Sequence, residues 1–410
     1  MATLTRTAPS PVRAGSRAEP ARALVPAGWL VVLSAPLALS ANSPAMILPT
    51  LAGDFGVSLA TVSWLVSAFG WAMALGTPLM GGLVRRRGIR PVLLTGAALT
   101  ALGTALVAVA PWLPLLLAGR ALQAFGGSAL VAVAMNLAGG STRRMGTIAA
   151  GFGFLGATGP LVGSTVTAAA SWHLAFAIQA VTLVGVPFVL RYTPKGATGG
   201  DGRFDAVGAA VLAVLVTALV AVPHYPLPGA VAVLIAVVLL GLRVRRVPDG
   251  FVPATLLRSP AFLAASGMTL LLSTSYFAML FTVPRLLAEK TSWSAGTIGA
   301  GQMAAMITGS VLVFGLAAVA PRLPQRLLTP LLLGLGGLAL AGVFLSPWAL
   351  GLFAVSTLSL LANSGGQAVF GVRAMRAAPV EKRPVAIGLF NLAFQLGGAF
   401  GPTLVVLLAN

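Results

Sequence analysis

Arg120 and Gln123 stand three residues apart in AGRALQAFGGSAL (118–130), flanked by apolar and small residues. That spacing puts both side chains on one face of a helix. A guanidinium held in hydrocarbon costs about 2.5–3.5 kcal/mol even on the most lenient insertion scale, so it needs a partner or a wet cavity. Arg120 therefore either faces a polar path through the molecule or snorkels to a helix end. Gln123 serves either a ligand or a neighbouring helix. Other polar groups that could line such a path are Asn42, Asn136, Gln302, Asn363, Gln367, Asn391 and Gln395. Trp64, Trp71, Tyr276, Phe390 and Phe394 lie near them in sequence. Carboxamides among aromatics suit a large amphipathic organic ligand, cationic or neutral. The same residues could equally serve as interhelical hydrogen bonds and interfacial aromatics.

Other chemistries find no support. The seven acids, Glu19, Asp54, Asp201, Asp205, Asp249, Glu289 and Glu381, fall in tails, connections or helix ends. His173 and His224 also sit near helix ends, where an interfacial place is expected. There is no cysteine, so no thiol nucleophile, disulfide or cysteine metal site. No Ser/His/Asp set, metal cluster or Walker loop is present. Neither an enzyme nor an ATP-driven machine is indicated, and no cofactor is expected.

The elements that must position these residues are set by composition. The chain has 410 residues, 58% hydrophobic and 8% charged, with a mean hydropathy of +0.97. Apolar runs of about 20 residues span a bilayer's hydrocarbon core. The expected fold is an all-α polytopic membrane protein with thirteen spans, at roughly 27–49, 59–83, 91–111, 113–138, 146–168, 172–190, 206–223, 226–242, 261–284, 295–320, 327–346, 348–371 and 384–408. Long continuous runs argue against a β-barrel, which would alternate over about ten residues.

Net charge is +19. In a soluble chain that would suggest nucleic acid, but topology explains it here. All but three of the 26 Lys and Arg fall in the N-terminal tail or in alternate connections. Arg285 and Lys290 fall in the other set, and Arg120 lies inside a span. Short cytoplasmic loops are enriched in Lys and Arg. The N-terminus is therefore expected inside and Asn410 outside. Residues 1–25 read as a disordered basic tail drawn to anionic lipid rather than a transit or signal peptide. GGLVRRRGIRPVLL (81–94) is the densest basic connection, with Arg85, Arg86, Arg87 and Arg90 in six positions. Anchoring alone does not require four.

Two halves are related. GATGP (Gly156–Pro160) in the fifth span recurs as GAFGP (Gly398–Pro402) in the thirteenth. Arg90 precedes Pro111-Trp112 by the spacing that separates Arg326 from Pro347-Trp348. Repeated halves around a central site are a common transporter plan. The expected division is a tail (1–25), a six-helix bundle (26–191), a linker with two inserted helices (192–258), and a second bundle (259–410) with five helices and no sixth.

These residues resemble the major facilitator superfamily, most closely its drug:proton antiporters with fourteen helices, the tetracycline and methylenomycin exporters among them. GGLVRRRGIRPVLL resembles the loop signature G-x-L-x-D-R-x-G-x-[RK], with Gly81, Leu83, Arg86, Gly88 and Arg90 matching and Arg85 at the acid position. AGRALQAFGGSAL resembles the fourth-helix motif R-x-x-Q-G through Arg120 and Gln123. GATGPLVGS resembles the antiporter motif ending G-P-x-x-G-G through Gly159, Pro160 and Gly163. SWHLAFAIQ (171–179) is similar to the sixth-helix entry S-W-R-x-x-F-x-x-N. LSANSPAMILP (39–49) resembles a first-helix motif, with Ser40 in place of its acid.

The resemblance implies a monomeric cell-membrane exporter of drugs or natural products, working by alternating access with proton antiport. Arg120, Gln123 and Asn42 would serve the path, the 81–90 loop the gate, and Gly156, Gly159, Pro160 and Gly163 a hinge. Arg85 reverses the charge of the gate's usual acid, and no carboxylate is clearly embedded. Two other readings stay open: a non-transporting relative acting as ligand sensor or scaffold, and an importer or uniporter.

Overall fold

The computed structural model describes residues 24–62, 64–193, 205–222, 225–346 and 348–409. The tail up to residue 23, the segment with Lys195 and Arg203, His224 and Pro347 lie outside the described residues. The helical rods follow the apolar runs. They are α1 (Ala27–Asn42), α2 (Trp64–Arg87), α3 (Ile89–Ala108), α4 (Leu113–Ala138), α5 (Thr142–Ala169) and α6 (Trp172–Leu190). Then come α7 (Ala206–Ala221), α8 (Pro226–Arg246), α9 (Pro260–Lys290), α10 (Ala295–Val319), α11 (Gln325–Leu345), α12 (Ala349–Arg376) and α13 (Arg383–Ala409). Among the described residues, ten helices are long and apolar enough to cross a membrane, with α1 and α7 as shorter apolar helices. Pro36 and Pro44 break the first segment: a turn at Ala35 splits α1, and Ser43–Met46 is a 3₁₀ turn.

Packing obeys the repeat. In the first bundle α1 packs on α5, α2 on α4, and α3 on α4. In the second, α9 packs on α13, α10 on α12, and α11 on α12. Shifting each helix number by eight maps one set onto the other. The recurring pentapeptide explains part of this register. A β-carbon at Gly159 would lie 2.7 Å from the Leu39 carbonyl oxygen of α1. One at Gly401 would lie 2.8 Å from the Thr274 carbonyl oxygen of α9. In each half the same glycine lets equivalent helices touch backbone to backbone.

The basic connections gather at one end. Arg144 donates to the Val25 and Leu137 carbonyls, and Arg376 reaches the Gly140 carbonyl at 3.2 Å. Lys382 meets Asp249 at 2.5 Å, and Arg85 donates to the Gly250 carbonyl at 3.3 Å. At the opposite end Trp172 donates to Asp54 at 2.9 Å and Lys290 to the Ser346 carbonyl at 3.1 Å.

α7 and α8 pair with each other, and α7 leans on the seam between α2 and α13. Asp205 fixes this insertion. Its carboxylate caps α7 by accepting from the Gly208 N–H, accepts from the Phe251 N–H at 3.0 Å, and takes Arg243 at 2.6 Å. Phe251, so held, fills the space beside Gly82 of α2. Burial alone would raise the Asp205 carboxyl; the Arg243 hydrogen bond, the two N–H donors and the Arg243 charge outweigh it and hold it below the usual carboxylate range. A group with a lowered native value stabilises the fold above its unfolded value, near pH 4, and loses that contribution as pH falls through the native value. Asp205→Ala is expected to cost about 2–4 kcal/mol at neutral pH, from a lost cap and a lost charge-assisted hydrogen bond. Thermal unfolding followed by tryptophan fluorescence should show that difference shrinking below pH 4. An undiminished difference at pH 3 would count against the carboxylate as its source.

Candidate functional site: a cavity between the bundles

A cavity of about 170 Å³ lies between the bundles, lined from α1, α2, α4 and α5 on one side and α9, α12 and α13 on the other. Asn42, Tyr276, Asn363, Gln367, Asn391, Phe394 and Gln395 line it, seven of the groups picked from the sequence. Asn363 and Gln367 are four residues apart on α12, and so are Asn391 and Gln395 on α13; each pair shares a helix face.

The remaining candidates are placed elsewhere. Trp64 is 54% exposed on the outside of α2. Trp71 donates to Thr217 of α7 at 3.0 Å and ties the insertion to α2. Asn136 donates to the Ala132 carbonyl of its own helix, and Gln302 accepts from Ser356, joining α10 to α12. Sequence reasoning missed the methionines: Met73, Met135 and Met145 line the cavity from three different helices. A thioether gives no polar signal in an apolar run.

Arg120 does not line the cavity. It is fully buried, with Nη1 2.6 Å from Ser40 Oγ and 3.1 Å from Gln123 Oε1, and Nη2 2.8 Å from the Ser40 carbonyl. Its guanidinium lies 4.2 Å from the Phe69 ring centroid and 4.7 Å from that of Phe176. Such contacts are worth about 2 kcal/mol each once desolvated, enough to offset much of the burial cost. The Ser40 carbonyl is available because the residue four on is Pro44, which has no N–H to give it. Gln123 completes the knot, donating to Thr104 and to the Phe176 carbonyl.

Pro160 does the same inside α5. It leaves the Gly156 carbonyl without a helical donor, and Asn42 Nδ2 fills the place at 2.9 Å. Gly156, Gly159 and Gly163 all face the first segment, at Asn42, Leu39 and Ser43. The motif thus seats α1 against α5 within one bundle.

Contact between bundles is concentrated towards the basic end. A β-carbon at Gly81 would lie 2.6 Å from the Pro384 carbonyl oxygen, and one at Gly388 3.0 Å from the Thr77 carbonyl oxygen, so α2 and α13 touch backbone to backbone. Gly146 of α5 sits directly against Ala317 of α10. Beneath the cavity one apolar core joins Met145 and Ile148 of α5 to Val372 and Met375 of α12 and Ile387 of α13. In the 81–90 loop Leu83 packs against this core, Arg86 is exposed, and Arg90 is half-buried in the first turn of α3. Gly88 has φ +80°, a conformation that side chains rarely adopt, and turns the chain between α2 and α3.

The chain is 24% identical over 291 residues to the uncharacterized MFS-type transporter YvkA of Bacillus subtilis, a stretch covering 66% of this chain and 65% of that protein. It is 32% identical over 221 residues to the multidrug efflux pump LfrA of Mycolicibacterium smegmatis, covering 50% of this chain and 42% of the relative. It is 27% identical over 176 residues to multidrug resistance protein 3 of Bacillus subtilis, covering 41% of this chain and 34% of the relative. The matched stretches span less than two thirds of these relatives. The fold is similar to that of the human organic anion transporter MFSD10 (TETRAN), with a TM-score of 0.62 and 17% identity over 92% of this chain and 93% of that one. The family model described as Major Facilitator Superfamily matches residues 28–402, and with the paired bundles this places the chain in the major facilitator superfamily.

Proposed function

We propose that the chain is a secondary transporter that exports small amphipathic organic molecules by alternating access, in exchange for protons. The observation that carries this reading is a cavity with walls from both bundles above an end where the bundles press together. A molecule seated there touches both bundles, so its binding energy can differ between the two arrangements that open to opposite sides. Residues 26–191 and 259–410 are then the moving bodies and 192–258 the inserted linker. We assign the basic end, and with it the N-terminus, to the cytoplasm of a cell-membrane protein. The glycine contacts of α2 with α13 and the 81–90 loop form the cytoplasmic gate.

Efflux of drugs is supported by one relative named as a multidrug efflux pump and another named for multidrug resistance. Proton exchange is carried by the resemblance of GATGPLVGS to the antiporter motif. The five described acids lie apart from the cavity: Asp54 accepts from Trp172, Asp205 from Arg243, Asp249 from Lys382 and Glu289 from Arg285, and Glu381 sits in the turn before α13. The test uses the full chain in proteoliposomes with an imposed pH gradient and a panel of uncharged, cationic and anionic dyes. Accumulation that nigericin abolishes is expected. Entry that survives nigericin and stops at equal concentrations inside and out would replace antiport by uniport. No movement of any dye by protein verified as folded would leave a ligand-binding, non-transporting protein.

A further inference from the structure

The cavity wall carries no formal charge. Among its described residues there is no Lys, Arg, His, Asp or Glu, although the chain as a whole carries +19. The one cation deep in the first bundle, Arg120, is turned away into its knot with Ser40 and Gln123. What the wall offers is five carboxamides, at Asn42, Asn363, Gln367, Asn391 and Gln395, with Tyr276 beside them. Two of the five are poorly satisfied. Asn363 is 3% exposed and its Oδ1 is buried without a hydrogen-bond partner. Asn391 is 4% exposed and donates only to the thioether of Met135, a weak acceptor, at 2.8 Å. A buried polar atom without a partner is costly, and a ligand that supplies the partner recovers that cost.

We propose, resting on the transporter reading above, that the cavity takes uncharged amphipathic molecules and discriminates against organic cations and anions. The ligand gives a hydroxyl or N–H to the Asn363 carboxamide and presents an oxygen or nitrogen acceptor to Asn391. Its apolar body lies between Met73, Met135 and Met145 on one side and Phe277 and Phe394 on the other. A charged molecule finds dipoles but no counter-ion, and an unpaired charge in a low-dielectric site is strongly disfavoured. The methionines, unbranched and polarizable, let one cavity accept several shapes.

Two probes share a scaffold and differ in charge: N-phenyl-1-naphthylamine is uncharged with an N–H donor, and 8-anilinonaphthalene-1-sulfonate is its anionic counterpart. Ethidium supplies the cation. With the full chain in proteoliposomes, transport of the uncharged probe is expected to exceed that of both ions by on the order of 60- to 300-fold, the scale set by an unpaired charge at mid-membrane. Asn363→Asp supplies the missing counter-ion and should lose at least about 10-fold on the uncharged probe while gaining ethidium transport. Should that variant fail to fold, Asn391→Asp takes its place in the same assay. Wild-type protein that moves ethidium or the sulfonate as well as the uncharged probe would overturn the substrate class and leave transport standing. Movement of none of the three by folded protein would overturn transport and this proposal together. A folded Asn363→Asp variant with unchanged preference would overturn the role of Asn363.

Discussion

Arg120→Ala should destabilise the protein by about 2–4 kcal/mol, and Ser40→Asp should stabilise it. The first figure sets three effects against one another. Emptying the space between Phe69 and Phe176 costs about 2–5 kcal/mol, as large-to-small core changes do. Leaving Ser40 Oγ and Gln123 Oε1 without their donor adds about 1–3 kcal/mol. Removing a charge from hydrocarbon returns about 2.5–3.5 kcal/mol. Packing and hydrogen bonding outweigh the relieved charge because Arg120 is fully buried and both Nη atoms are bonded. Arg120→Met keeps the bulk and drops the charge, so it should sit close to wild type. Ser40→Asp tests the charge itself. Ser40 Oγ lies 2.6 Å from Nη1, so an aspartate there meets the guanidinium directly, and the gain after its own desolvation is about 1–2 kcal/mol. Thermal unfolding in detergent, read by tryptophan fluorescence, measures all three variants. A destabilising Ser40→Asp would mean that the guanidinium charge is already balanced.

Arg120 also marks where sequence reading stops. Its burial, its helix and its need for partners follow from an arginine in an apolar run. Whether it faces a path or a packed seam depends on the rotation of α4 about its axis and on what α1 presents, and neither is a local property. The helices themselves were legible because hydrocarbon demands long apolar runs, and the basic connections because charge sorts to one side. Polar side chains within spans were legible only as needing partners. Asn363 with Gln367 and Asn391 with Gln395 form polar faces four residues apart and reach the cavity. Asn136 and Gln302 have no polar neighbour four residues away and spend themselves on a carbonyl and a hydroxyl. The four-residue pairs were the usable signal. Asn42 shows its limit, since it is single and still lines the cavity, held there by a carbonyl that Pro160 frees. The glycines gave recurrence but not partners: Gly159 and Gly163 seat one helix on another within a bundle, whereas Gly81 and Gly388 meet across the gate.

Gly81→Val is therefore expected to abolish transport while leaving the fold intact. Its β-carbon would stand 2.6 Å from the Pro384 carbonyl oxygen and 3.2 Å from the Gly388 Cα, both backbone atoms that no rotamer change can move aside. Overpacking of this kind costs about 1–3 kcal/mol where neighbours can yield, and more where they are main chain. That cost falls only on the arrangement in which α2 and α13 touch at the basic end. A two-state equilibrium moves tenfold for each 1.4 kcal/mol or so, so a valine shifts the population towards the arrangement open at that end by at least about 10-fold. Stability is largely spared, because the open arrangement keeps both bundles packed. Gly70→Ala is the control, since nothing lies within 4 Å of its β-carbon position. With no cysteine in the chain, spin labels on cysteines introduced at Arg87 and Lys382 report the gate without background. The separation of the labels should lengthen in Gly81→Val and stay at the wild-type value in Gly70→Ala. If Gly81→Val keeps the short separation and still loses transport, the glycine serves something other than closure. If it keeps both, the contact between α2 and α13 is not the gate.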